Sequence, residues 1–172
     1  LSQGNPYSRC VCVDPLIITE SAIQTVSYSS FWLAGICRRL QSYNYPTRYI
    51  RHYNFDARID ADVTPFQDSE WRIAPGLANS SYGYVSFEAV NYRGYYLKQT
   101  DYDLSLVKND GTDAFKAAAT FKKVTGLADN SGFSFQLYND SSRYIRHYNY
   151  YLRLDPISTT LDRQDATFFL TD

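Results

Sequence analysis

One segment of this chain is written three times. Gln41-Ser42-Tyr43-Asn44 runs on through Arg48-Tyr49-Ile50-Arg51-His52-Tyr53-Asn54, and Gln136-Leu137-Tyr138-Asn139 runs on through Arg143-Tyr144-Ile145-Arg146-His147-Tyr148-Asn149. Between them, Glu88-Ala89-Val90-Asn91 leads to Tyr95-Tyr96-Leu97-Lys98-Gln99-Thr100-Asp101. His52, Gln99 and His147 hold one repeat position, 47 and 48 residues apart. Later in each unit an aromatic residue recurs, as Trp71 after Asp68, Phe121 after Ala118 and Phe168 after Asp165. Pro75-Gly76-Leu77-Ala78 and Thr125-Gly126-Leu127-Ala128 repeat a turn, in which the glycine is expected to supply a positive φ.

A fixed internal period restricts the fold more than any other feature, because a unit this short cannot bury its own apolar face and must stack on its neighbours. The runs Arg48 to Tyr53, Tyr95 to Leu97 and Arg143 to Tyr148 alternate apolar and polar residues with the strand period, and Leu104 to Val107 and Leu152 to Leu154 read as the strands that follow. Only Asp113 to Ala119 offers a helical pattern. Three all-β units of this length are too few for a propeller ring and match the closed three-fold barrel of a β-trefoil, which leaves no sheet edge open. The expected units are about 36–83, 84–131 and 132–172, with Trp71, Phe121 and Phe168 as equivalent core residues. Residues 1–35 stand outside the repeats as a cap, an added strand layer or a dimerisation arm.

The 172 residues suffice for one hydrophobic core. Net charge is −1 with scattered Lys and Arg, which argues against nucleic acid as a partner. No apolar run is long enough for a helical membrane span. The 17 tyrosines serve mostly as strand formers, but a flat apolar face with a hydroxyl also suits partly polar ligands. Cys37 is expected to pair with Cys10 or Cys12, and the odd thiol left over would be available for a disulfide-linked homodimer. The chain starts at Leu1 rather than Met, which fits either a processed mature protein or a trimmed piece of a longer one, and the expected location is outside the cell.

The middle unit points to the chemistry. Both histidines of the chain fall at one repeat position, and the unit that has Gln99 there also has Ala118 where the others have Asp68 and Asp165. A joint loss is what a disused ligand pocket would leave, whereas residues that merely held the fold would be needed in every unit. An aspartate accepts charge-assisted hydrogen bonds from vicinal hydroxyls, and imidazole adds a donor and an acceptor on one plane. Tyr45 or Tyr53 in the first unit and Tyr148 in the third are candidates to pack on a sugar's C–H face, with Asn54 and Asn149 as weaker members. No metal or cofactor is implied.

The recurring Tyr-Asn-x-x-x-Arg-Tyr-Ile-Arg-His-Tyr-Asn, the Gly-Leu-Ala turns, Asp110-Gly111-Thr112-Asp113-Ala114-Phe115 and the closing Asp-Ala-Thr-Phe, spanning Ile36 to Asp172, resemble the arabinofuranosidase B domain, carbohydrate-binding module family 42. The resemblance implies a β-trefoil with pockets for the arabinofuranosyl side chains of hemicellulose, such as arabinoxylan. By position it assigns one pocket to His52 with Asp68 and another to His147 with Asp165, and leaves the middle unit degenerate.

Catalysis is the weaker reading, since Asp68 and Asp165 lie in different units and glycosidases hold their carboxyls within about 10 Å. A cytokine-type or inhibitor-type trefoil would not explain the paired His and Asp, and the Gln-x-Trp signature of ricin-like lectins does not occur. The expected function is non-catalytic binding of arabinofuranose-containing polysaccharide or glycoconjugate, by a free lectin or a module cut from a larger hydrolase. Asn79-Ser80-Ser81 and Asn139-Asp140-Ser141 match glycosylation sequons, and a glycan on Asn139 is expected to crowd the third pocket.

Overall fold

A computed structural model of the chain describes residues 37–172. It is an all-β trefoil. Four strands per unit follow one another: β1 Cys37–Ser42, β2 Tyr49–Tyr53, β3 Asp56–Asp60, β4 Trp71–Pro75; β5 Tyr84–Ala89, β6 Tyr95–Thr100, β7 Asp103–Lys108, β8 Phe121–Thr125; β9 Phe133–Leu137, β10 Asp140–Tyr148, β11 Tyr151–Pro156, β12 Phe168–Thr171. Six of them close a barrel, β1 on β4, β4 on β5, β5 on β8, β8 on β9, β9 on β12 and β12 back on β1. The hairpins β2–β3, β6–β7 and β10–β11 join in a triangle through Asp56 opposite Ser105, Asp103 opposite Arg153 and Tyr151 opposite Arg58.

The core is built in symmetric sets because the period-two burial of each strand recurs in every unit. Leu40, Phe87 and Phe135 form one set, Ile50, Leu97 and Ile145 a second, and Ile59, Leu106 and Leu154 a third, all buried. Trp71, Phe121 and Phe168 are fully buried, as their repeat spacing predicted. Trp71 keeps its indole N–H satisfied by donating to the Ile50 carbonyl at 3.1 Å.

The glycine turns work differently from the sequence-based expectation. Gly76 and Gly126 do not have positive φ; among the described residues the positive-φ glycines are Gly83, Gly94 and Gly111. Close approach is what requires them. A β-carbon on Gly76 would lie 2.6 Å from the Asn79 carbonyl oxygen and 2.7 Å from Thr120 Cγ2, and one on Gly126 would overlap the Asp129 carbonyl. Side chains on and just before the neighbouring strands hold the turns in place: Leu77 and Ala78 N–H donate to Ser86 Oγ and Thr120 Oγ1, and Leu127 and Ala128 N–H donate to Ser134 Oγ and Thr167 Oγ1.

Asp113–Ala118 is a helix, α1, capped by Thr112. A second helix, α2 at Thr160–Asp165, was not expected, since six residues are too few to show a helical period. Its capping box of Thr159 and Asp162 stabilises it instead. In the first unit the same place is taken by a 3-10 turn, Phe66–Ser69. Cys37 is disulfide-bonded, and its partner, like the expected role of residues 1–35, lies outside the described residues.

Gly126→Ala should therefore lower stability by about 1–3 kcal/mol through overpacking, and Gly111→Ala, with open space around its β-carbon, should cost about 1 kcal/mol through φ alone. Urea unfolding of the two variants measures the difference; equal costs would refute the close-approach account.

Candidate functional site

His52 and Asp68 do meet, but a third residue from the next unit joins them. Asn91 Nδ2 donates to Asp68 Oδ1 at 2.8 Å, which turns Asn91 Oδ1 toward His52 Nε2 at 2.9 Å. The third unit repeats the arrangement across the closure of the ring. Asn44 Nδ2 donates to Asp165 Oδ1 at 2.7 Å, and Asn44 Oδ1 faces His147 Nε2 at 2.9 Å. The carboxylate fixes the amide, and the amide oxygen then requires Nε2 to carry a proton, so in the neutral ring Nδ1 is the acceptor.

An arginine completes each set. Arg51 donates to Asp68 Oδ2 at 2.5 Å, and Arg146 to Asp165 Oδ2 at 2.5 Å. All of these charged groups are buried. A buried carboxylate needs such partners, and removing one leaves an uncompensated charge at a cost of about 3–5 kcal/mol.

Aromatic walls also cross unit boundaries. Tyr92 meets the His52 ring edge-on at 5.2 Å between centroids and touches Phe55 at 6.0 Å. Tyr45 meets His147 at 5.4 Å and Tyr150 at 5.6 Å. Tyr45, predicted for the first pocket, thus belongs to the third unit's pocket. Tyr53 and Tyr148 do not face the histidines, since strand alternation sets Tyr53 beside Arg51. Tyr53 covers Arg51 and Arg58, and Tyr148 covers Arg146 and Arg153.

Asn54 and Asn149 sit in the hairpin turns with φ of 49° each, the same role as Asp101 at 50°. The residues after them, Phe55, Tyr102 and Tyr150, have φ of 67°, 69° and 68°, at a turn position where glycine is the relaxed choice. Each strained carbonyl is gripped by the following unit: Leu106 N–H donates to Phe55, Leu154 to Tyr102 and Ile59 to Tyr150, at 2.7–2.8 Å. The strain places Phe55 and Tyr150 against the pocket tyrosines.

The repeat pattern had shown Asn44, Asn91 and Asn139 as equivalent, but not that Asn44 and Asn91 bridge the His–Asp pair of the preceding unit. Arg51, Arg146, Tyr92, Phe55 and Tyr150 were missed as well. One signal was present: the loss in the middle pocket also crosses the boundary, since the place of Tyr45 and Tyr92 is taken by Asp140. There Gln99 folds back to accept from Tyr102 N–H at 3.2 Å instead of reaching Asn139. A cleft of about 440 Å³ results, lined by Gln99, Asp101, Tyr102, Leu137, Asn139 and Asp140. Asn139 therefore borders the middle cleft, not the third pocket as expected.

Among the described residues no group of three or more His, Cys, Asp or Glu could hold a metal ion. The His52 and His147 clusters bring together a carboxylate, an imidazole and a tyrosine ring, a set of groups chemically suited to a small polyhydroxylated ligand. Fold and site together define a β-trefoil with two composite polar clusters, each shared between neighbouring units.

Comparison with known proteins identifies the family. Residues 38–170 match the Alpha-L-arabinofuranosidase B (ABFB) domain, and the chain belongs to that family, carbohydrate-binding module family 42. An extracellular exo-alpha-(1->5)-L-arabinofuranosidase of Streptomyces avermitilis is 53% identical over 132 residues, covering 76% of this chain and 27% of that protein. Alpha-L-arabinofuranosidase B of Emericella nidulans is 35% identical over 113 residues, 60% of this chain and 22% of its own length. The chain thus spans about a quarter of these relatives. A solved arabinofuranosidase complexed with arabinofuranosyl-alpha-1,2-xylobiose superposes with a TM-score of 0.71 at 28% identity, over 79% of this chain and 30% of that one. The designed three-fold symmetric protein ThreeFoil, at 10% identity and a TM-score of 0.60 over 79% of this chain and 98% of its own, shares the fold alone.

Burial holds the His147 pKa below the usual imidazole value, against the opposing pull of Asp165 and with help from Arg146 and Arg48. The unfolded chain therefore takes up this proton more readily, so stability present above about pH 6.5 is lost as the pH falls below it. Thermal unfolding at pH 7.5 and pH 5 should show a smaller acid loss in His147→Gln than in the parent chain. An equal loss would mean that His147 is not the responsible group.

Proposed function

We propose that the chain binds terminal arabinofuranosyl side chains in two pockets, His52–Asp68–Asn91–Tyr92 and His147–Asp165–Asn44–Tyr45. The observation that carries this reading is the joint replacement of His by Gln99, Asp by Ala118, Arg by Lys98 and Tyr by Asp140 at the middle pocket, in a unit whose strands pair in the same register. The complete sets therefore serve a ligand and not the fold. A pentose ring offers vicinal hydroxyls to the carboxylate and the imidazole, and a C–H face to the tyrosine. The arabinofuranosidase context of the relatives supports arabinofuranose as that pentose.

Binding without hydrolysis follows from the same geometry. Asp68 and Asp165 belong to different pockets, and the carboxylates nearest each of them, Asp60 on Arg51 and Asp162 on Arg146, are ion-paired to the same guanidinium, which keeps them charged and unsuited to act as the acid. The natural ligand is an arabinose-substituted polysaccharide such as arabinoxylan, met outside the cell, in keeping with the extracellular Streptomyces avermitilis relative.

Each small pocket should be weak, with Kd on the order of 0.1–1 mM, and two pockets on one rigid domain should raise affinity for a branched polymer by roughly a hundredfold. Calorimetry with methyl arabinofuranoside should give two sites per chain, one site for His52→Gln or His147→Gln, and no binding when both are changed. Glutamine is chosen because the middle unit already accommodates it. Retained binding in the double variant, or release of free arabinose from arabinoxylan by the purified chain, would refute the proposal.

A further inference from the structure

Behind each arginine of the two pockets lies a second layer that the binding reading does not use. Arg51 directs its three guanidinium nitrogens to three acceptors: Nε donates to the His52 carbonyl at 3.0 Å, one terminal nitrogen to Asp68 at 2.5 Å, and the other lies 3.7 Å from Asp60. Asp60 also holds Arg58, two residues before it on β3 and opposite Arg51 across the hairpin, at 3.0 Å. The Tyr53 ring lies over both guanidiniums, at 5.0 and 5.7 Å, with half of its own surface exposed. The third unit has the same layer in Tyr148, Arg153 and Asp155, and adds Asp162 of α2, which accepts from Arg146 at 2.7 Å.

The middle unit supplies an internal control. At the places of Tyr53, Arg58 and Asp60 it has Thr100, Ser105 and Val107, none of which can form this layer. Yet β6–β7 pairs in register from Tyr95 opposite Lys108 to Thr100 opposite Asp103, as β2–β3 does from Tyr49 opposite Asp60 to Tyr53 opposite Asp56. The hairpin does not need the layer. It occurs with the two complete pockets and is missing with the incomplete one.

Resting on the binding reading above, we propose that Tyr53, Arg58 and Asp60 are positioning residues for the first pocket, acting through Arg51, and that Tyr148, Arg153 and Asp155 do the same for the third through Arg146. Arg51 sets the orientation of the Asp68 carboxylate, and a lone guanidinium on a long side chain has several rotamers. Asp60 and the Tyr53 ring restrict it to the one that leaves the remaining carboxylate lone pairs facing the ligand. Arg146 has Asp162 as an additional anchor, held ionised by the Thr159 backbone N–H with a pKa lowered to about 2. The first pocket therefore depends on its layer more than the third does.

The test transplants the middle unit's residues. In a His147→Gln chain, which leaves one pocket, Tyr53→Thr, Arg58→Ser and Asp60→Val are made together, with Arg51, His52, Asp68, Asn91 and Tyr92 untouched. Methyl arabinofuranoside binding is followed by NMR titration and folding by thermal unfolding. The expected result is a melting temperature within about 4 °C of the parent, which corresponds to no more than about 1 kcal/mol, with Kd weakened tenfold or more. Restoring Asp60 alone should recover at least half of the lost affinity on a logarithmic scale. A Kd within twofold of the parent would overturn the proposal, and so would an unfolded variant, because the layer would then hold the hairpin and not the pocket. A folded His147→Gln parent that binds no arabinofuranoside would overturn the binding reading itself and this proposal with it.

Discussion

The set around His147 and Asp165 depends on closing the ring. The pairing of β1 with β12, from Arg39 opposite Thr171 to Ser42 opposite Phe168, brings the first described strand beside the last. Only then does Asn44 lie between His147 and Asp165, 103 and 121 residues away in sequence. The same pairing carries Leu40 and Phe168 into the core, both fully buried, so the interaction that completes the core also brings Asn44 to His147 and Asp165. A site made in this way sits on strands and tight turns rather than on a long loop, which limits its freedom before any ligand arrives.

The electrostatics follow from that placement. Each pocket holds a buried carboxylate, a buried guanidinium and a buried imidazole. Such groups cost free energy unless every lone pair and proton is used, and the amide bridge from the neighbouring unit supplies what the carboxylate and the ring would otherwise lack. The strained turns at Phe55 and Tyr150 belong to the same arrangement, because a relaxed glycine in their place would leave Tyr92 and Tyr45 without a wall to pack against.

Much of this was legible in the sequence, and the limit has a physical cause. The repeat period named the fold, and the paired loss at Gln99 and Ala118 named the histidines and aspartates, because both signals are linear. The assignment of Tyr45 to the first pocket failed because which unit a loop serves is decided by how the ring closes, and no local pattern encodes that. Tyr53 misled for a related reason: it adjoins His52 in sequence, and strand alternation puts the two on opposite sides. Gly76 and Gly126 were recognised as essential, but close packing and positive φ both select glycine, and sequence does not separate them. Six-residue α2 was hidden because capping rather than periodicity defines it.

Sharing each pocket between neighbours changes what decay of one pocket can release. With Gln99 and Ala118 at the middle histidine and aspartate positions, the loop that has no such pair to bridge is not in the middle unit but in the third, at Asn139 and Asp140. The loop of the middle unit, Asn91 and Tyr92, remains bound to the service of His52 and Asp68. Freedom to drift is thus allotted by interface and not by repeat, so that each unit carries one half answerable to the neighbour before it and one half answerable to the neighbour after it. The cleft at the junction of the second and third units is accordingly lined by two pieces of chain that no His–Asn–Asp bridge joins.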